Sequence, residues 1–241
     1  MCGIAGLIHR GKTGDVGQEM TAMLQSLKHR GPDSTGYALY GKPHGGELVL
    51  RFKVAEQDEM SKGFDIHHQV KKRRAEVGER LEELGARIIE EVEATESDVD
   101  IRSAHPYWAY PFADVSVVHN GQLTNYWNGR RALERRGHRF MSNCDSELIA
   151  VYLADRMEQG AALEDAMKSS IDELDGVFTY LVATADSLGM AKDVMAAKPM
   201  VLYESDDFIA LASEEVAIRS VFPHEIDTFD PYEGEVRVWH S

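Results

Sequence analysis

The second residue of the chain is a cysteine, within Met1-Cys2-Gly3-Ile4-Ala5-Gly6. Removal of Met1 would make Cys2 the N-terminus and place a thiol beside a free α-amine in one residue. The unperturbed amine titrates at about 7.7–8.0 and the thiol at about 8.5, so the two can exchange a proton near neutral pH. A nucleophile activated by its own N-terminal amine is an established route to covalent catalysis. The competing reading is a coincidental cysteine at the start of a strand, and the rest of the chain has to decide between them.

Two further stretches carry suitable groups. Asn120-Gly121 follows the apolar run Val115 to His119, where a side-chain amide and an adjacent backbone N–H can converge on one point, as an oxyanion requires. Taken alone, Asn-Gly is better read as a type I′ hairpin turn, and only the company of the other motifs reverses that reading. In Cys144-Asp145-Ser146-Glu147 the Asp145 carboxylate can hold a cation, or cap a helix start together with Ser142 three residues earlier. Cys2 and Cys144 show neither CxxC spacing nor histidines at metal-ligand intervals, so no metal is expected.

Composition narrows the partners. The formal net charge of −15 repels phosphates and argues against nucleic acid or an anionic membrane surface. No apolar run approaches the ~20 residues of a spanning helix. The short apolar start is followed by His9, Arg10 and Lys12, unlike a signal peptide. With two unpaired thiols, this predicts a cytoplasmic protein.

The elements that must position these groups follow from periodicity. Residues 2–9 read as a buried strand. Gln18 to Lys28 reads as a helix with Met20, Met23, Leu24 and Leu27 on one face, stopped by Gly31-Pro32-Asp33-Ser34. Strands are expected at Gly36 to Tyr40 and Glu47 to Val54. His67 to Leu84 predicts a charged helix with a narrow apolar stripe and opposite-charge pairs such as Lys72–Glu76, read as a solvated face with docking as the lesser alternative. Val115 to His119 is a strand, and Trp127 to Arg136, Ser146 to Glu158 and Leu163 to Leu174 are helices. Short apolar strands follow at 177–184, 190–195, 200–203 and 208–212. A helix at Glu214 to Val221 and a strand at Gly234 to Trp239 close the chain. With no repeat or linker, residues 1–241 are expected to form one α/β (α+β) domain: a four-layer αββα sandwich with mostly antiparallel sheets.

Taken in order, MCGIAG, His29-Arg30-Gly31-Pro32-Asp33-Ser34, Glu93-Ala94-Thr95-Glu96-Ser97, Val118-His119-Asn120-Gly121 and Cys144-Asp145-Ser146-Glu147 resemble the class II, N-terminal-nucleophile glutamine amidotransferases over almost the whole chain. The likeness is greatest to the glutaminase subunits of glutamate synthase and N-methylglutamate synthase systems. The resemblance implies the N-terminal-nucleophile hydrolase fold, loss of Met1, and hydrolysis of the L-glutamine side-chain amide through a Cys2 thioester. It implies an oxyanion hole at Asn120 and Gly121, an α-ammonium grip at Asp145, a pocket-lining Thr95, and Arg30 bracing the nucleophile strand. His105 and His119 are read as structural, and Cys144 as a buried, inert neighbour of the pocket.

One position departs from the pattern. Where the family carries an arginine that clamps the glutamine α-carboxylate, this chain has Val92 among Glu90, Glu91 and Glu93. Valine cannot replace a bidentate arginine. Arg102 supplying the charge, a shifted alignment and weakened glutamine binding stand as alternatives. The chain has no GxGxxG or iron–sulfur cysteine set. No cofactor is therefore expected in it, and a synthase partner holding flavin or an iron–sulfur cluster is implied. A non-catalytic scaffolding subunit and a hydrolase of another small amide are the alternative readings.

Overall fold

The computed structural model describes residues 2–11, 14–30, 36–40, 64–88, 105–109 and 112–241. The chain divides into two compact units, one of Met1–Gly41 with Val99–Ser241 and one of Lys42–Asp98. The first unit opens with β1 (Ala5–His9), α1 (Val16–Ser26) and a 3-10 turn at Lys28–Arg30. The second unit carries α2 (Phe64–Glu83). The first unit resumes with β2 (Tyr107–Ala109), β3 (Phe112–Leu123), α3 (Tyr126–Arg135), α4 (Asp145–Glu158) and α5 (Leu163–Glu173). It ends with β4 (Gly176–Ala183), β5 (Ser187–Lys192), β6 (Val201–Glu204), β7 (Phe208–Ala212), α6 (Glu215–Arg219) and β8 (Val236–His240).

The strands of the first unit form two antiparallel sheets. One has the order β1-β7-β6 and the other β2-β3-β4-β5-β8. Between them lies an apolar layer that includes Ile4, Leu181, Met190, Leu202, Ile209 and Trp239. Gly6 belongs to this layer as well, since a Cβ there would press on Leu181 and Leu188 of the opposite sheet at 3.1–3.2 Å. The outer face of the smaller sheet buries Leu7, Phe208 and Ala210 against Met20 and Met23 of α1 and Ile218 of α6. The outer face of the larger sheet buries Val115, Val117, Phe178 and Tyr180 against Leu148, Ile149 and Leu153 of α4 and Met167 of α5. The layers therefore run helix, sheet, sheet, helix, a mixed α/β arrangement with antiparallel sheets, as the alternation of short strands and amphipathic helices predicts.

Several local expectations shift. α1 begins two residues early because the Asp15 carboxylate caps it, accepting from Gln18 N–H at 3.0 Å. Residues 36–40 are not in a strand, although Tyr40 OH donates to Ser116 Oγ at 2.9 Å. β3 continues through Asn120-Gly121 instead of turning there, with Asn120 opposite Thr179 and Gly121 opposite Phe178 on β4. The hairpin reading of Asn-Gly is thereby excluded. Gly121 has φ +139°, and a Cβ on it would fall on the Val177 carbonyl oxygen, so only glycine fits.

Asp145 does not cap α4 either: Cys144 is the N-cap residue, with no side-chain capping bond, and Asp145 is the first helical residue. In the second unit, Lys72 and Glu76 of α2 pair at 3.8 Å, and no described side chain of that helix is buried. The expected strand at Glu47 to Val54 lies outside the described residues. Among the described residues no helix is long and apolar enough to cross a membrane.

Candidate active site

Among the described residues, Cys2, Arg30, Asn120, Gly121 and Asp145 lie toward one end of the two sheets. Alternation along β3 sends Val118 and Asn120 into the space between the sheets and Val117 and His119 toward α4. Cys2 is exposed and precedes β1. Two residues on, Ile4 is tied to the residue that follows β7: Ser213 N–H donates to the Ile4 carbonyl at 2.9 Å, and Ile4 N–H donates to Ser213 Oγ at 3.0 Å. The same oxygen accepts Asn120 Nδ2–H at 3.1 Å. The first strand of one sheet and the amide carried by the other thus share a single buried hydroxyl. Asn120 is 6% exposed and commits one of its two amide hydrogens to this contact, which leaves the second available.

Arg30 sits directly on the Cys2 segment. Its Nε donates to the Cys2 carbonyl at 3.3 Å and its Nη1 to Glu214 Oε1 at 2.6 Å. The other oxygen of Glu214 meets His29 Nε2 at 2.9 Å. Arg30 first, and His29 after it, hold the Glu214 carboxyl below its ordinary range. Arg30 is therefore a charged brace whose counter-ion lies 184 residues away in sequence.

On the helix side of β3, Asp145 is fixed from two directions. Oδ2 accepts Leu123 N–H at 3.0 Å, and the Cys144 thiol approaches Oδ1 at 3.6 Å. Cys144 is partly exposed, not buried as expected. The loop before α4 is anchored by Glu147, 1% exposed, which accepts the N–H of Met141 and the N–H and hydroxyl of Ser142. Glu147 thereby sets where α4 begins and where Asp145 stands. Behind Asp145, Ser146 Oγ meets His105 Nε2 at 2.9 Å and His119 Nδ1 at 3.0 Å, with Asp145 Oδ1 3.7 Å from His119 Nδ1.

Proton placement in this cluster is limited by counting. Ser146 has one proton to give, so at most one of the two histidines accepts from it. His119 Nε2 is buried with no partner, and the Asp145 carboxylate beside Nδ1 favours the tautomer that carries its proton there. His119 Nδ1–H therefore faces Ser146 and the Asp145 carboxylate, which leaves the Ser146 hydroxyl free to donate to His105. Burial pushes both histidines down, His119 to about 4, against the pull of Asp145, so both are neutral near pH 7. Burial likewise raises Tyr107, with Cys144, Glu147 and Asp145 adding to the effect, and keeps its phenol protonated.

The structure thus brings Cys2, Arg30, Asn120 and Gly121 to the ends of β1 and β3, and sets Asp145 beside the end of β3. Thr95, Val92 and Arg102 lie outside the described residues. Ser213 and Glu214 escaped the sequence reading. They follow a short apolar strand with no motif around them, and only contacts across 209 and 184 residues give them a place at the site. Ser146 sat inside a quoted motif, but its two histidine partners could be assigned only in three dimensions. Among the described residues no group of three or more His, Cys, Asp or Glu is placed to hold a metal.

Comparison with known proteins bears on this arrangement. Residues 94–220, just over half of the chain, match the family described as glutamine amidotransferase domain. A protein of Methanothermobacter thermautotrophicus, provisionally named a glutamine amidotransferase, is 34% identical, with 99% of each chain covered. The glutamine amidotransferase-like protein GlxB of Rhizobium meliloti is 31% identical over 90% of this chain and 91% of its own. The amidophosphoribosyltransferase of M. thermautotrophicus is 26% identical over 93% of this chain but only 46% of its own. On its match to the domain and its end-to-end likeness to the first of these relatives, this chain belongs to the glutamine amidotransferase family of amide-hydrolysing enzymes.

Proposed function

We propose that this domain is a class II glutaminase in which Cys2, exposed by removal of Met1, is the nucleophile. The thiol passes its proton to the Cys2 α-amine and the sulfur attacks the side-chain amide carbon of glutamine. The tetrahedral oxyanion is met by the free Asn120 amide hydrogen and the Gly121 N–H. Collapse expels ammonia, which takes the proton from the amine, and leaves a thioester. Water, deprotonated by the same amine, hydrolyses the thioester to glutamate and frees the thiol. Asp145 grips the substrate α-ammonium, Thr95 lines the pocket, and Arg30 braces the Cys2 carbonyl. The observation that carries this reading is the shared hydroxyl of Ser213, which joins the Cys2 segment on one sheet to the Asn120 amide on the other.

The ammonia is destined for a partner synthase of glutamate synthase type, in the cytoplasm, and any flavin or iron–sulfur cluster belongs to that partner. The order and spacing of the motifs support this choice. The longer amidophosphoribosyltransferase, in which the matched stretch is less than half of the protein, supports the pairing of this domain with a second activity.

Purified protein with a verified Cys2 N-terminus should release glutamate from glutamine. Cys2→Ala and any block to Met1 removal should each abolish it. Hydrolysis that survived Cys2→Ala would sink the mechanism. A second reading, a scaffolding subunit that keeps the fold without turnover, draws on Val92 and its acidic neighbours in the slot where an arginine is expected. No turnover with a bound synthase partner present would favour it, and turnover of a different small amide would redirect the substrate assignment.

A further inference from the structure

The link between β7 and α6 is occupied by Ser213 and Glu214, and it touches both halves of the candidate site. Ser213 is 1% exposed. Its hydroxyl oxygen has two lone pairs, taken by Ile4 N–H and Asn120 Nδ2–H, and its proton has the Ile4 carbonyl at 3.4 Å. With the lone pairs filled this way, the amide nitrogen of Asn120, not its oxygen, is turned toward Ser213. That fixes the direction of the second amide hydrogen. Glu214 follows in extended conformation, φ −144° and ψ 141°, so its side chain leaves the opposite side of the backbone. There it divides its carboxylate between Arg30 and His29, and Arg30 reaches the Cys2 carbonyl.

We propose that Ser213 and Glu214 are the positioning residues of this site. Ser213 sets the separation between the nucleophile strand and the Asn120 amide, and Glu214 holds the Arg30 brace on Cys2. The inference rests on the reading of Cys2 as nucleophile and Asn120 as oxyanion donor. Neither residue touches substrate. Each acts through a group that is otherwise free to move, Asn120 by rotation about its side chain and the Cys2 carbonyl by fraying of the chain start. Displacing a reacting group by about 1 Å can cost on the order of 10²-fold in rate. The contacts to glutamine lie elsewhere, around Asp145, so turnover should suffer and substrate binding should not.

The test is a double-mutant cycle on glutaminase turnover with the mature protein. Ser213→Ala should lower kcat about 10–100-fold with KM changed less than about threefold. In an Asn120→Ala background the same substitution should lower kcat by less than about threefold, because the amide through which Ser213 acts is gone. Glu214→Gln should lower kcat about tenfold at similar KM, an effect absent in an Arg30→Ala background. If Ser213→Ala does not fold, as judged by its thermal transition, Ser213→Cys takes its place, with a weaker acceptor and a smaller loss. Effects that simply add in the cycles, or a kcat for Ser213→Ala within twofold of the parent, overturn the proposal. Cys2→Ala is run alongside. Activity that survives it overturns the nucleophile reading, whereas activity lost in Cys2→Ala but unaffected by Ser213→Ala condemns the positioning role alone.

Discussion

The two sides of β3 hold their functional groups by opposite strategies. Toward the smaller sheet, Asn120 and the Cys2 segment hang on a few long-range contacts to Ser213 and Arg30, and Cys2 itself is exposed. Toward α4, Asp145 backs onto a cluster of Ser146, His105 and His119, with Ser146 and His119 at most 3% exposed. The first arrangement leaves one Asn120 amide hydrogen free, where the proposed mechanism develops charge. The second uses nearly all of its capacity and places neutral rings behind a carboxylate. In the proposed mechanism a thiol that must meet substrate and a carboxylate that must hold a cation set different demands, and the two sides of β3 would meet them separately.

The contrast can be broken at several points, and the largest effect is expected on the open side. Cys2→Ala should remove glutamate release entirely, read by glutamate detection after verified Met1 loss. Asn120→Ala should lower kcat about 10²–10³-fold with a small change in KM, since its free amide hydrogen is proposed to act only in the transition state. On the buried side the signature should reverse. Asp145→Asn keeps the shape but removes the charge, and should raise KM for glutamine about 10–100-fold, as expected for a lost charge-assisted bond of roughly 1.5–3 kcal/mol, with kcat falling less.

Ser146→Ala strands two buried histidine nitrogens and should cost about 1–3 kcal/mol of stability in denaturant unfolding, with turnover little changed. Loss of turnover at unchanged stability would show the histidine cluster to be catalytic instead.

A last test concerns pH. His119 is held neutral with its pKa lowered to about 4, against an ordinary value near 6.5. Between those values the unfolded chain binds a proton that the folded chain refuses, so stability rises with pH across this window. It is lost as pH falls from about 6.5 toward 4, with His105 contributing in the same direction. His119→Gln, which cannot titrate, should flatten the slope of unfolding free energy against pH between those limits. An unchanged slope would mean that other groups control the acid limb.

Much of this contrast was legible in the chain itself. The short apolar runs 177–184 and 208–212 and the helical periodicity of 18–28 and 146–158 foretold β4, β7, α1 and α4 to within a few residues, because a strand covered on both faces reads as an unbroken apolar run and a core-facing helix as a repeat of apolar positions, both of which neighbours in sequence reveal. Cys2, Asn120 and Asp145 stood out by type and setting. Local readings gave way where tertiary preferences compete with them. Asn-Gly is a turn by local propensity, yet pairing of Asn120 and Gly121 with Thr179 and Phe178 holds it extended. Asp145 suits a cap, yet the Leu123 N–H at the end of β3 captures its carboxylate.

The sequence by itself determined which groups could do chemistry and the layered α/β framework able to carry them, since side-chain type and periodicity are local properties. Only the tertiary structure decided that Ser213 would join Ile4 to Asn120, that Glu214 would hold Arg30 at the Cys2 carbonyl, and that Ser146 would seat two neutral histidines behind Asp145. Hydrogen bonds between residues tens to hundreds of positions apart leave no period and no spacing in the chain. They exist only because two sheets pack face to face and bring distant strand ends to the same edge.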